Sequence, residues 1–173
     1  MWRIIFFLVL GYIPLHYLNY VVLKGDAPFL PSFGIVMCIA LSSFGTSKGY
    51  QAIGRYMIGA SIKTPRVGTR ALLGIVICEA NFFFCLVMSN LLLSKIENVK
   101  SYGGQFILFT AGFIAGACSY CSSLASGIIC AAITMMDAKD PTLFYKLVFL
   151  EVIPAGIGIL GLVLGLVLSD KAA

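Results

Sequence analysis

Charge is scarce in this chain. Asp, Glu, Lys and Arg make up 11% of its 173 residues, and His16 is the single histidine. No glycine-rich loop is placed to cradle phosphates, and no His/Cys/carboxylate group completes a metal site. No polar segment is long enough for a soluble catalytic domain, a nucleotide pocket or a nucleic-acid-binding module. The reading is therefore of a chain without cofactor or metal. What fills the sequence instead is apolar: 60% of residues are hydrophobic, with a mean hydropathy of +1.01. The formal charge of +5 then marks membrane topology rather than a nucleic-acid or other polyanionic partner.

Repeated apolar runs of about 20 residues read as membrane-spanning helices. Five are expected, over roughly 2–23, 33–60, 67–95, 104–136 and 142–169. The first follows Arg3 like a signal peptide, but it runs too long and lacks a small-x-small cleavage site, so it reads as a retained helix. Pro14, His16 and Asn19 interrupt it without ending it; His16 reads as a packed or interfacial ring, with a proton relay as the alternative. The six cysteines (38, 78, 85, 118, 121, 130) all fall inside expected helices, unlike the loop framework of a secreted disulfide protein. Cys118 and Cys121 have C-x-x-C spacing, and small packing residues are the plain reading.

The loop near 60–70 carries Lys63, Arg66 and Arg70, with Arg55 just before it. The positive-inside rule places it in the cytosol. Alternation then puts the Met1 end and the 137–146 loop in the cytosol, and the C-terminus on the far side. After the first helix the chain reads as a duplicated hairpin. Each copy has a small-residue-rich helix, a polar loop with a proline (Pro65, Pro141) and an apolar helix holding one glutamate. The expected organisation is an N-terminal helix and loop at 1–32, a first hairpin at 33–103 and a second at 104–173.

Ala111, Ala115, Ser119, Ser123, Gly127 and Ala131 recur at i, i+4. They make one smooth helix face about 30 Å long. Such faces let helix backbones approach closely in lipid. Packing within one monomer and packing between many similar hairpins side by side are both open.

Glu79 lies within the apolar run 71–88, near mid-membrane. A carboxylate there is expensive, and a functional role is its default reading. Burial raises a carboxyl pKa toward neutrality, and a group so tuned binds and releases protons at cellular pH. Two static readings compete. Lys48 matches Glu79 in depth and could pair with it, or the neutral acid could hydrogen-bond to a backbone carbonyl. Glu151 is the counterpart in the second hairpin, but its register is off. In the frame of the loop prolines the equivalent of Glu79 is Ala155, and in the frame of the closing serines, Ser94 and Ser169, it is Pro154. Glu151 thus sits about one turn toward the cytosolic side, which makes Glu79 the working acid and Glu151 accessory or structural.

Ile58-Gly59-Ala60-Ser61-Ile62-Lys63-Thr64-Pro65-Arg66, continuing to Ile77-Cys78-Glu79, resembles a known loop and the acidic helix after it. The family is the c″ proteolipids of V-type (vacuolar) proton-pumping ATPases. Lys146-Leu147-Val148-Phe149-Leu150-Glu151 resembles the second, offset glutamate of that type, and the extra first helix agrees with it. The likeness covers about residues 33–170. It departs at Phe84 and Cys85, where the family usually has Tyr-Gly, at Asn81 and at Lys48.

The resemblance implies an all-α membrane protein of five transmembrane helices, whose hairpins assemble side by side into a rotor ring. In that ring the small-residue helices line the inner wall and the Glu79 helices face outward. The partners it implies are other c-type proteolipids, a stator a subunit supplying an arginine, a central-stalk subunit, the lipid bilayer and protons. Its implied function is proton transport at Glu79, with ATP hydrolysed on other subunits. It implies the membrane of an acidic organelle, with the N-terminus cytosolic and the C-terminus lumenal. The apolar surroundings of Glu79 favour proton over sodium, which needs several oxygen ligands. The alternative from another class is a structural or channel-forming multi-helix membrane protein with Glu79 in a static ion pair.

Overall fold

A computed structural model describes residues 29–99 and 101–172. The expected helix at 2–23 lies outside them, and so does His16. Four helices account for nearly all of the described chain: α1 (Phe29–Lys63), α2 (Arg66–Ile96), α3 (Tyr102–Lys139) and α4 (Pro141–Asp170). Each is long and apolar enough to cross a membrane. α1 and α3 extend two to four residues beyond the expected apolar runs at each end, α2 and α4 only one, because helix continues past the hydrocarbon edge into polar surroundings.

Local chemistry sets the two proline loops. Lys63 ends α1, and Thr64 closes it by donating its backbone N–H (3.1 Å) and its hydroxyl (3.0 Å) to the Ala60 carbonyl. Pro65 follows with helical φ of −56° and ψ of −30°, a residue that opens a helix at no hydrogen-bond cost. At the second loop Asp140 is extended (φ −138°, ψ 115°). Its carboxylate accepts from the Thr142 backbone N–H and hydroxyl, both at 2.9 Å. This is an N-cap with Pro141 in the first helical position.

Small residues make the core. α1 and α3 touch backbone to backbone. A Cβ added at Gly45 would lie 2.6 Å from the Tyr120 Cα, and one at Gly127 would overlap the backbone of Gly49. Ala111, Ala115, Ser119, Ser123, Gly127 and Ala131 are all buried within the chain. α4 packs through its own narrow stripe of Glu151, Pro154, Gly158, Gly161, Gly165 and Ser169. Ile53, Met88, Leu92 and Leu108 are buried among the small residues, but many larger apolar side chains point outward: Ile62 is 80% exposed, Phe149 75% and Ile153 68%. Water would penalise that surface by tens of side chains, whereas hydrocarbon solvates it.

Ion pairs stand at opposite ends of the bundle. Arg70 Nη1 lies 2.6 Å from Asp137 Oδ1 at the end bearing the proline loops, joining α2 to α3. Lys95 pairs with Asp170 at the other end, joining α2 to α4.

Candidate functional site

α2 carries Glu79 half-buried, beside its buried stripe of Ala71, Gly74, Cys78, Asn81 and Cys85. On the outer side of the same helix, Val76 is 63% and Phe83 58% exposed. The carboxyl thus stands at the boundary between the bundle and its apolar exterior. Tyr50 of α1 is its polar neighbour: the phenol and the carboxyl interact electrostatically.

Lys48 is at the depth expected. A Cβ at the adjacent Gly49 would come 3.1 Å from Cys78 Sγ, one residue before Glu79. The face is what differs. Lys48 is exposed, with its ammonium 5.9 Å from the centroid of the Phe44 ring. Two helical residues subtend about 200°, so Lys48 leaves α1 on the side away from Tyr50 and Glu79. Neither ion pair among the described residues includes Glu79.

Glu151 has the opposite setting. It is 2% exposed and enclosed between Cys130 of α3 and Gly74 of α2. A Cβ on Gly74 would overlap both the Cys130 sulfur and Glu151 Oε1, so glycine there makes the room for the acid. Oε1 has no hydrogen-bond partner among the described residues. The offset by one turn therefore also separates two environments, with one acid at the rim and the other inside.

Asn81 anchors a buried polar chain across all four helices. Its Nδ2 donates to Ser122 Oγ (2.8 Å), and Ser122 donates to the Pro154 carbonyl (2.7 Å). Ser119 donates to the Asn81 carbonyl (3.1 Å) and shares a 2.8 Å hydrogen bond with Ser42. Sequence reasoning singled out Ser119 for its size and missed its hydroxyl. The signal available was the Ser-rich run 119–126 on a helix expected to be surrounded by apolar groups. Buried thiols act similarly: Cys78 donates to the Ser123 carbonyl (3.6 Å) and Cys85 to the Ala115 carbonyl (3.6 Å). Cys118 and Cys121 are free thiols, half-buried and exposed respectively.

A family profile for the C subunit of ATP synthase matches the chain twice, at residues 33–92 and 109–168. The chain belongs to the ATP synthase C-subunit family. It is 34% identical to the c″ subunit of the V-type proton ATPase of Saccharomyces cerevisiae, over 82% of this chain and 70% of that one. It is 29% identical to the c″2 subunit of the V-type proton ATPase of Arabidopsis thaliana, over 82% and 84%. Identity to the 16 kDa proteolipid of the V-type proton ATPase of Homo sapiens is 23%, over 84% and 94%.

In this C-subunit family member the two matched segments fall one on each helical hairpin. Taken without gaps, the two segments set Glu79 opposite Ala155, as the frame of Pro65 and Pro141 does. Glu79 lies inside the first segment and Glu151 inside the second, so both acids belong to the family region while only one occupies the repeated position.

Proposed function

We propose that this chain is a proton-carrying subunit of the rotor ring in the membrane sector of a V-type ATPase. The observation that supports it most is Glu79 itself: a carboxyl at mid-helix, half-buried, without an ion pair among the described residues, at the edge of an apolar exterior. Neutral, such a group is compatible with lipid; ionised, it needs water or a cation. Rotation carries the protonated acid through lipid to a stationary a subunit. There an arginine and two half-channels strip the proton to one side and replace it from the other. Moving one charge against 100 mV costs about 2.3 kcal/mol, which ATP hydrolysis on other subunits supplies through a central stalk.

Ring assembly extends a contact that each chain makes internally. The α1–α3 interface already joins the small-residue helix of one hairpin to that of the next. The stripe Ala111, Ala115, Ser119, Ser123, Gly127 and Ala131 belongs to that inner wall, and neighbouring c-type proteolipids continue it. The proline loops face the cytosol, the C-terminus faces the lumen of an acidic organelle, and Glu151 is accessory. The static ion-pair reading needs a cation at Glu79, and Lys48 lies on another face of α1.

The test is acidification of vesicles bearing the assembled complex. Glu79→Gln is expected to assemble and abolish proton pumping, and Glu151→Gln to retain a substantial fraction. A hydrophobic carbodiimide is expected to modify Glu79 with parallel loss of pumping. An assembled Glu79→Gln complex that still acidifies overturns the proposal.

A further inference from the structure

Between α2, α3 and the start of α4 runs a narrow cleft lined by Arg70, Ala71, Thr134, Asp137, Phe144 and Glu151. It begins at the bundle end that carries the proline loops and ends on the buried acid. Two carboxylate oxygens in it lack partners among the described residues, Asp137 Oδ2 and Glu151 Oε1, on residues 1% and 2% exposed. The other Asp137 oxygen is taken by Arg70 at 2.6 Å, and Arg66 Nη2 donates to the Asp137 carbonyl at 3.1 Å. Buried polar oxygens without partners are rare in folded proteins, and an ordered water is a common resolution. A water centre has about 10 Å³ to occupy here, room for roughly one molecule.

We propose that this cleft is a one-water site through which Glu151 exchanges its proton with water at the loop end of the bundle, independently of Glu79. The neutral acid donates to the bound water. On exchange its proton passes to that water, forming hydronium beside the Asp137 carboxylate, and leaves past the Arg70–Asp137 pair; the reverse path reloads the acid. The charged and titratable groups facing Glu151 are Cys78 and Arg70 on α2 and Cys130 and Asp137 on α3. Arg70 is engaged by Asp137, and no other cation lines the cleft among the described residues. Thr134 spends its proton on the Cys130 carbonyl at 2.7 Å, which leaves its oxygen free to accept from the water.

Infrared difference spectroscopy of the purified membrane complex in H₂O and D₂O tests this. A protonated-carboxyl band is expected that Glu151→Gln deletes, that Glu151→Asp moves, and that shifts in D₂O within minutes. Thr134→Val, nearly isosteric, is expected to slow that shift at least ten-fold. Three results overturn the proposal: no such band, a band that never exchanges, or a band bleached by added sodium, which would make the cleft a cation site. None of these readouts depends on pumping, so Glu79→Gln can keep or lose acidification without bearing on Glu151.

Discussion

At the residue scale, the two glutamates show how position on a helix sets what an acid can do. Glu79 borders lipid-facing side chains, whereas Glu151 faces inward against Cys130 and the space left by Gly74. Asn81, two residues from Glu79, holds α2 in rotation through Ser122 and the Pro154 carbonyl. Asn81→Ala removes one interhelical hydrogen bond, worth about 0.6–2 kcal/mol in lipid. The expected outcome is a complex that assembles with lower thermal stability in detergent and retains pumping. Unchanged stability would show that the hydrogen bond adds nothing. Asp140 offers a pH test outside the membrane. The Thr142 amide, then its hydroxyl, hold the Asp140 carboxyl below the usual range for an aspartate. A lowered folded pKa stabilises fully above the unfolded value and loses that stabilisation as pH falls through the folded one. Thermal unfolding of Asp140→Asn is therefore expected to depend less on pH in the acid range than that of the native chain.

At the element scale, the α1–α3 contact depends on absent side chains. A methyl at Gly127 meets the Gly49 backbone, whereas a methyl at Gly59 meets nothing within 4 Å. Gly127→Ala is expected to cost about 1–3 kcal/mol by overpacking and to reduce assembly. Gly59→Ala, at an exposed helical position, is expected to be neutral or to stabilise by up to about 1 kcal/mol from helix propensity. Equal yields of assembled complex from the two variants would contradict this account. Pro154 belongs to the same scale. It gives the Leu150 carbonyl no donor, and its own carbonyl takes the Ser122 hydroxyl, so α4 is tied to α3 where it is weakest.

At the scale of the whole molecule, the exterior is the dominant fact. Large apolar residues are exposed along every helix, among them Val36, Val76, Phe106 and Leu160 at 60–63%, while the helix contacts inside are made largely by Gly, Ala, Ser and Cys with a few large side chains such as Ile53, Met88, Leu92 and Leu108. This is an integral membrane protein, and alkaline carbonate is expected to leave it in the membrane pellet. Recovery in the supernatant would contradict that reading. The ion pairs among the described residues clamp α2 to α3 at one end and to α4 at the other.

Much of this was legible without coordinates. Long apolar runs separated by Pro65 and Pro141 dictate where helices start and stop, because hydrocarbon forces every backbone group into internal hydrogen bonds and proline cannot continue a helix. The depth of Glu79 followed from counting residues, and the family from the Lys63–Arg66 loop with the acid behind it. Faces were a different matter. In water, polarity tells the inside of a helix from the outside; in lipid both sides are apolar and only side-chain size distinguishes them. Hence Lys48 and Glu79 matched in depth yet left their helices in different directions, and Glu151 gave no sign that it pointed inward. Which groups met, and which acid was enclosed, was decided by how four small-residue stripes fitted together, a matter of shape that composition does not encode.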